Sequence, residues 1–145
     1  MKKIGLELRN LMNLIMRFTH KEASTENISM SHAAILKYLT KHKNEEVNPK
    51  DLEEAFMMRK STVSRMLQLM ESNGLIERLD DPQDSRKKII KLTDHASKLH
   101  HKFDEKYEEM EVAMAKDIAP EDLEVFFKVL DQIKLNLKEE KEEEK

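Results

Sequence analysis

The sequence predicts a mainly α-helical fold with one small β-hairpin, and three observations support this fold class. Glycine and proline are scarce, with Gly 2 and Pro 3 in 145 residues, as expected of a helical chain with little loop. Three long segments repeat apolar residues at helical spacing. Residues 61–92 combine a helix pattern, a glycine and two short apolar runs separated by turn formers. This order predicts a winged helix-turn-helix lobe, accompanied by a helical dimerisation lobe.

The first helix is expected over residues 4–18, because its apolar residues alternate spacings of four and three. These are Ile4, Leu8, Leu11, Ile15 and Phe18. Such spacing gives a heptad-like seam that packs against another helix. A polar loop follows over residues 21–28, and a second helix, opened by Ser29 or Ser31, carries an apolar stripe. The stripe consists of Ile35, Leu36 and Leu39.

A third helix begins at Asn48, the predicted N-cap, with Pro49 in its first turn. Its predicted buried face consists of Leu52, Ala55 and Phe56. With the helix that follows Lys60, it makes a helix-turn-helix pair.

The fourth helix has two opposed faces, because each residue turns the chain by about 100°. One face collects Val63, Met66, Leu67 and Met70, and the other collects Ser61, Arg65, Gln68 and Ser72. The first face can be buried in a domain. The second offers hydroxyls, an amide and an arginine without a carboxylate at the front of the helix, and such groups bond base edges and phosphates. We interpret the segment as a DNA recognition helix.

The predicted DNA contacts of this helix are Lys60, Ser61, Thr62, Ser64, Arg65 and Gln68. Arg65 is expected to contact guanine or phosphate, and Gln68 adenine or phosphate. Each residue also has an ordinary structural role. Ser61 is the predicted N-cap, and Thr62 and Ser64 can bond local backbone groups. Arg65 and Gln68 can form a solvated face.

Gly74 is placed to stop the recognition helix in a left-handed conformation. Residues 75–79 then predict one strand, residues 80–85 a turn, and residues 86–92 a second, basic strand.

At the tip of this hairpin, Arg86 is the predicted minor-groove contact, since a narrow A·T-rich groove attracts a guanidinium. Asp84 is expected to orient Arg86 through paired hydrogen bonds. Lys87 and Lys88 are predicted phosphate contacts. The alternative is a surface turn with a weak ion pair.

These segments resemble the MarR family of winged helix-turn-helix transcriptional regulators. The resemblance rests on residues 60–65 and 74–78, on Asp81 with Pro82, on residues 84–86, and on Leu92 with Thr93. It implies a homodimer that binds a pseudo-palindromic site in double-stranded DNA, acts as a repressor and responds to a small-molecule effector. The chain departs from the family at residues 94–96, where a glycine is common, and at residues 56–59, where a Leu-Gly-like turn is common.

Two further apolar stripes predict C-terminal helices. They are Leu99, Phe103, Tyr107, Met110 and Met114, then Leu123, Phe126, Leu130, Ile133 and Leu137. Residues 1–20 and 95–138 are therefore assigned to the dimerisation region, residues 29–93 to the winged helix-turn-helix lobe, and residues 139–145 to a charged tail. An intertwined dimer is favoured over an intramolecular bundle, since helices this apolar need a partner.

The formal net charge of −3 averages over segments that differ. Residues 59–91 carry eight basic and five acidic side chains, a local charge of +3, whereas residues 138–145 carry five glutamates and three lysines. The basic charge therefore lies in the segment that is predicted to bind DNA.

Several function classes are disfavoured. Cys 0 excludes disulfides, thiolate metal sites and a sensing cysteine. The histidines lack the spacing of three or four that places two ligands on one helical face, so they are interpreted as surface residues, not as a zinc site. No cofactor is expected. A glycine-rich phosphate loop and an HExxH motif are missing, so an enzyme is not expected.

Neither a signal peptide nor a membrane span is visible, and a cytoplasmic location is expected. An effector cleft could be bordered by Met12, Met16, Met30, Met57 and Met58, although methionine at helical spacing is usually core. The rival function is a winged-helix protein-interaction adaptor that does not bind specific DNA.

Overall fold

A computed structural model describes residues 1–22 and 30–143, and the side chains of residues 1–18 and 32–140. Within them the order of elements is α1 (Ile4–Glu22), α2 (Met30–Lys41), α3 (Pro49–Phe56), α4 (Lys60–Ser72), β1 (Ile76–Asp81), β2 (Asp84–Leu92), α5 (Asp94–Ala115) and α6 (Pro120–Glu143). The predicted mainly helical fold with a hairpin wing is confirmed. None of the helices within these residues has both the length and the apolar character that crossing a bilayer requires.

The chain divides into two compact units, Met1–Glu108 and Glu109–Lys145. The first unit contains the winged-helix lobe, by which we mean α2, α3, α4, β1, β2 and the start of α5. The second unit contains the end of α5 and all of α6.

The winged-helix lobe has one continuous apolar core. Its buried members are Ile35, Leu36, Leu39, Val47, Leu52, Val63, Leu67, Met70, Leu75, Ile76, Ile90 and Ala96. The predicted stripe on α2 is confirmed. On α3 the prediction for Ala55 is wrong, because Ala55 is exposed while Leu52 is buried and Phe56 is half-buried. The side of this short helix that faces the core contains Leu52 and Phe56, which are four residues apart, and Ala55 lies outside it.

The start of α3 is fixed by a reciprocal cap. The side chain of Asn48 accepts a hydrogen bond from the Asp51 N–H at 3.1 Å, and the Asp51 carboxylate accepts one from the Asn48 N–H at 2.9 Å. Pro49 occupies the first turn, where no N–H is needed. The predicted N-cap is confirmed. The helix ends at Met57, whose φ of 53° lies in the left-handed region that favours glycine.

The predicted N-cap of α4 is wrong. The capping position belongs to Arg59, whose backbone is extended and whose carbonyl accepts the first helical bond from the Val63 N–H at 3.1 Å. Ser61 therefore lies inside the first turn, two positions after the cap. No side-chain cap bond forms at Arg59.

The hairpin after α4 begins at a glycine stop. Gly74 has a φ of 73°, as the sequence predicts. β1 pairs antiparallel with β2 from Ile76 opposite Leu92 to Asp80 opposite Lys88, with an irregularity between Asp80 and Asp81. Both strands extend further toward the tip than predicted, because pairing continues up to the Pro82 and Gln83 turn.

An isolated antiparallel bridge pairs Val47 with Ile90, and the Ile90 N–H donates to the Val47 carbonyl at 2.8 Å. The bridge attaches the segment before α3 to the base of the wing, and no local pattern of residues indicates it.

Lys37 connects α2 to α5. Its Nζ lies 3.4 Å from Glu108 and 3.6 Å from Asp104, and 4.8 Å from the centre of the Tyr107 ring. Burial lowers the pKa of Lys37, but the hydrogen bond to Glu108 and the charge of Asp104 outweigh it, so the net shift is upward. These contacts hold α5 against the lobe.

α1 extends to Glu22, four residues beyond its predicted end, because the helix continues through the polar residues after Phe18. The rest of the predicted loop and Ser29 lie outside the described residues. Ser31 lies within α2, not at its cap.

Candidate nucleic-acid interface

The structure confirms the two faces of α4. Val63, Leu67 and Met70 are buried, and Met66 is half-buried. All six predicted contacts on this helix are exposed: Lys60, Ser61, Thr62, Ser64, Arg65 and Gln68. The helix thus presents one polar surface more than two turns long.

The chemistry of this surface suits a polyanion at its front end. Within the described residues, no ion pair engages Lys60 or Arg65. The Ser72 hydroxyl is occupied, since it donates to the carbonyls of Gln68 at 2.8 Å and Leu69 at 3.2 Å. The first carboxylate of α4 is Glu71, in the last turn. Cations and hydroxyls are therefore available at the front of the helix, where base contacts are usually made.

Arg86 projects from the hairpin tip with its side chain 95% exposed. The prediction that this guanidinium donates paired hydrogen bonds to the Asp84 carboxylate is wrong. The carboxylate of Asp84 accepts a hydrogen bond from the Arg86 backbone N–H at 3.0 Å, and its Oδ1 lies 3.9 Å from Arg86 Nε. A side chain two residues back reaches the main-chain amide more readily than the end of a long arginine. Asp84 therefore shapes the turn and makes only a long, exposed ion pair with the guanidinium, which corresponds to the alternative of a surface turn with a weak ion pair.

The two wing lysines differ. Lys87 is exposed, and no ion pair engages it in the described part of the chain. Lys88 forms a short ion pair with Asp80, its cross-strand partner. The exposed cations at the wing tip are therefore Lys87 and Arg86, whose ion pair with Asp84 is long and exposed.

An ion pair that was missed in the sequence joins α4 to the wing. Arg78 donates from Nε to Glu71 Oε2 at 3.2 Å and from Nη2 to Oε1 at 3.1 Å. The hydrogen bond from Arg78 lowers the pKa of Glu71 despite the opposing effect of burial. The only sequence signal was an acidic and a basic residue on either side of the Gly74 stop.

Thr93 fastens the same corner from the end of β2. Its hydroxyl donates to the Gly74 carbonyl at 2.6 Å, and its N–H donates to the Leu75 carbonyl at 3.1 Å. The hydroxyl also accepts from the Ala96 N–H at 3.2 Å, in the first turn of α5. Thr93 therefore joins the α4 stop, the hairpin and α5.

One open cavity of about 280 Å³ lies beside the Val47 bridge. Its lining is Leu39, Thr40, His42, Lys43, Glu45, Val47, Ile90, Lys91, Leu92 and Ser97. Of the methionines singled out in the sequence, the four whose side chains the structure describes do not line it: Met12, Met16, Met57 and Met58. Met12 and Met57 are exposed, Met58 packs against the lobe core, and the side chain of Met30 lies outside the described residues.

The histidines do not assemble a metal centre in the part of the chain that the structure describes, where no cluster of three or more potential His, Cys, Asp or Glu ligands occurs. The interpretation of the histidines as surface residues is wrong for His32, which is buried in the lobe. His42 is half-buried and contacts two neighbouring side chains. Its ring lies 4.2 Å from that of Tyr38, and its Nδ1 lies 2.9 Å from a Glu45 carboxylate oxygen.

α1 and α6 each expose much of their apolar surface. The exposed residues are Ile4, Leu6, Leu8, Leu11, Met12, Leu14 and Phe18 on α1, and Val125, Phe126, Phe127, Val129, Leu135 and Leu137 on α6. Exposed apolar surface of this extent marks an interaction site.

Comparison with a family model gives a match over the helix-turn-helix and most of the wing. The model is described as MarR family and matches residues 26–87. A comparison with curated proteins found no match.

Solved structures share the fold over most of the chain. The transcription regulator MarR from Oenococcus oeni PSU-1 is 28% identical, with 90% of this chain and 98% of that chain covered and a TM-score of 0.76. MepR of S. aureus in complex with DNA is 25% identical, with 94% and 99% covered and a TM-score of 0.88.

A third similar structure is the PcaV transcriptional regulator from Streptomyces coelicolor in complex with its natural ligand. It is 21% identical, with 91% of this chain and 92% of that chain covered and a TM-score of 0.81. At this identity the likeness concerns the fold.

Proposed function

We propose that this chain is a transcription regulator of the MarR family, and that it is a homodimeric, cytoplasmic repressor that binds a pseudo-palindromic operator in double-stranded DNA. The family assignment is supported by the match of residues 26–87 to the family model and by the similarity to two solved transcription regulators. The observation that carries the proposal is the pair of exposed cationic surfaces in the winged-helix lobe. One is the front of α4 with Lys60 and Arg65, and the other is the wing tip with Arg86 and Lys87.

In the proposed complex, α4 lies in the major groove and the wing reaches the neighbouring minor groove. Arg65 and Gln68 then contact base edges or phosphates, while Lys60, Ser61, Thr62 and Ser64 position the helix. Arg86 enters the minor groove, and Lys87 contacts phosphate. Asp84 shapes the wing turn. Lys88 contributes little to the attraction for phosphate, because its charge is largely neutralised by the ion pair with Asp80. The similarity to MepR, whose structure includes DNA, supports this arrangement.

The homodimer is supported by the exposed apolar side chains of α1 and α6. A two-fold assembly buries such faces against a second copy of the chain. It also supplies two recognition helices, which read half-sites about one helical turn apart. α1 and α6 belong to the dimerisation region that we propose from the sequence, residues 1–20 and 95–138. In this proposal residues 29–93 bind DNA.

Regulation by a small molecule is supported by the fold likeness to PcaV, which was solved with its natural ligand. An effector releases DNA only if it binds more tightly to a dimer conformation that does not fit both half-sites. Repression then follows from a bound dimer that blocks a promoter.

The proposal is tested by selecting binding sites from genomic DNA and measuring affinity for the selected duplex. Arg65→Ala and Arg86→Ala are each expected to weaken binding by about 5- to 150-fold while the dimer stays folded. Lys41→Ala is the control, since Lys41 is an exposed cation of the same lobe outside the proposed interface. Equal affinity in all three variants contradicts the assigned contacts.

The rival adaptor makes a different prediction. An adaptor binds no duplex selectively at moderate salt, whereas a regulator prefers its operator by orders of magnitude and loses affinity steeply as salt rises. Titration of operator and scrambled duplex at several salt concentrations separates the two functions.

A further inference from the structure

The corner between α4 and β1 is held by a two-point ion pair. Glu71 lies in the last turn of α4 and Arg78 in β1, and the two hydrogen bonds between them measure 3.1 and 3.2 Å. A guanidinium that meets a carboxylate through two parallel bonds fixes orientation as well as distance. The pair therefore restrains how the hairpin leaves the helix.

The partial exposure of the two side chains argues against a purely stabilising role. The side chains of Arg78 and Glu71 remain 30% and 41% exposed, and exposed ion pairs contribute little to folding. Such a pair contributes little to the free energy of unfolding, but it fixes the orientation of β1 relative to α4. The hydrogen bonds that Arg78 donates to Glu71 raise the pKa of Arg78 and lower the pKa of Glu71, so both groups stay charged at neutral pH.

The pair connects the two surfaces of the proposed interface. Glu71 is three residues beyond Gln68 on α4. Arg78 lies opposite Ile90 in the hairpin whose tip carries Arg86. On the other side of the corner, Thr93 holds the Gly74 carbonyl. The wing is thus tied to α4 by an ion pair and to the helix stop by a hydroxyl.

We propose that Glu71 and Arg78 are positioning residues that set the angle between α4 and the wing, so that Arg65 and Arg86 engage one duplex at the same time. Neither residue touches DNA in this account. Glu71 also neutralises Arg78, which leaves no free cation at the corner to attract phosphate in another register. The inference rests on the proposed function and adds the device that couples its two halves.

The first experiment is a charge cycle. Glu71→Gln and Arg78→Gln are each expected to weaken operator binding about three- to tenfold, and the double variant no more than either single one. The exchange Glu71→Arg with Arg78→Glu is expected to restore at least part of the affinity. Affinities are measured at a temperature where circular dichroism shows every variant to be folded.

A second cycle asks whether the pair acts through the wing. In the Arg86→Ala background the wing contact is already lost, so Glu71→Gln should add almost nothing. A general loss of stability would instead give additive effects, because it does not depend on Arg86.

The third measurement needs no DNA. Because the chain contains no cysteine, Ser85→Cys provides a single site for a nitroxide label at the wing tip. Lys41→Cys provides a control site on α2. Glu71→Gln is expected to increase the mobility of the label at residue 85 in the electron paramagnetic resonance spectrum and to leave the label at residue 41 unchanged.

The outcomes separate the inference from the function on which it rests. A wild type that binds no duplex overturns both. Wild-type binding with unchanged affinity in Glu71→Gln and unchanged tip mobility overturns the positioning role alone. A third outcome is that Arg78→Gln lowers affinity while Glu71→Gln does not, and that Arg78→Gln also reduces by about one the slope of the logarithm of the binding constant against the logarithm of the salt concentration. Arg78 is then a phosphate contact and the inference is wrong.

Discussion

The winged-helix lobe and the end helices α1 and α6 place their apolar residues in opposite environments. In the lobe, residues such as Leu52 and Leu67 are completely buried. On the end helices, equally apolar residues such as Ile4 and Leu137 are more than 60% exposed. The lobe completes its core from its own residues, whereas the exposed apolar side chains of α1 and α6 are the surface that the proposed dimer would cover.

The largest expected effect tests the self-contained core of the lobe. Leu67→Ala should lower the free energy of unfolding by about 2–5 kcal/mol, because it leaves a cavity among residues that cannot fully close around it. Leu69→Ala is the matched control, since it makes the same change on the exposed side of α4. If denaturant unfolding shows that both variants lose the same free energy of unfolding, the two faces of α4 do not differ in their contribution to the core.

The second test addresses the end helices. Phe126→Glu should shift the protein from dimer to monomer, because it would place a charge in an apolar surface that the proposed dimer buries. Its side chain is exposed in the subunit, so the fold should survive. Light scattering after size-exclusion chromatography measures the mass.

Leu79→Glu provides the control for this dimer test, since it makes a comparable change at an exposed apolar residue of the wing. It should remain dimeric. If both variants dimerise like the wild type, α6 is not the covered surface.

A smaller effect is expected at the turn between α3 and α4. Met57 has a left-handed backbone and a 54% exposed side chain, so Met57→Gly should relieve backbone strain while losing little packing. We expect the free energy of unfolding to rise by about 0.5–1 kcal/mol. Met57→Ala trims the side chain but keeps the Cβ atom, and it should give no such gain in thermal unfolding.

The smallest effect concerns the electrostatic link within the lobe. Because Arg78 lowers the pKa of Glu71 in the folded state, the pair contributes stability at neutral pH that is lost as pH falls through the lowered pKa. The difference in melting temperature between wild type and Glu71→Gln should therefore be constant near neutral pH and shrink well below pH 4.5, the ordinary glutamate value.

Arg78→Gln supplies the reference for that titration. Without the guanidinium, adding Glu71→Gln should change the melting temperature little at any pH. A difference that persists unchanged into strong acid would show that the ion pair is not its source.

Much of the candidate interface could be predicted from local pattern. The two faces of α4, the Asn48 cap and the Gly74 stop each depend on residues within a few positions of one another, and the structure has all three. The assignment of Ser61 as N-cap failed by two positions, because α4 begins after Arg59 without any side-chain cap bond, so the capping preference of serine did not set the start of the helix.

The order of elements, the apolar stripes and the cationic character of the α4 and wing segment follow from the sequence alone, because helix and strand periodicities are properties of neighbouring residues. Three-dimensional packing was needed to show that Glu71 meets Arg78, that Val47 pairs with Ile90 and that Asp84 accepts from a backbone amide. It also showed that α1 and α6 each expose apolar side chains, whereas stripe residues such as Leu130 and Ile133 are half-buried. Each of these depends on distances through space after the chain has turned, and no spacing along the sequence encodes such a distance.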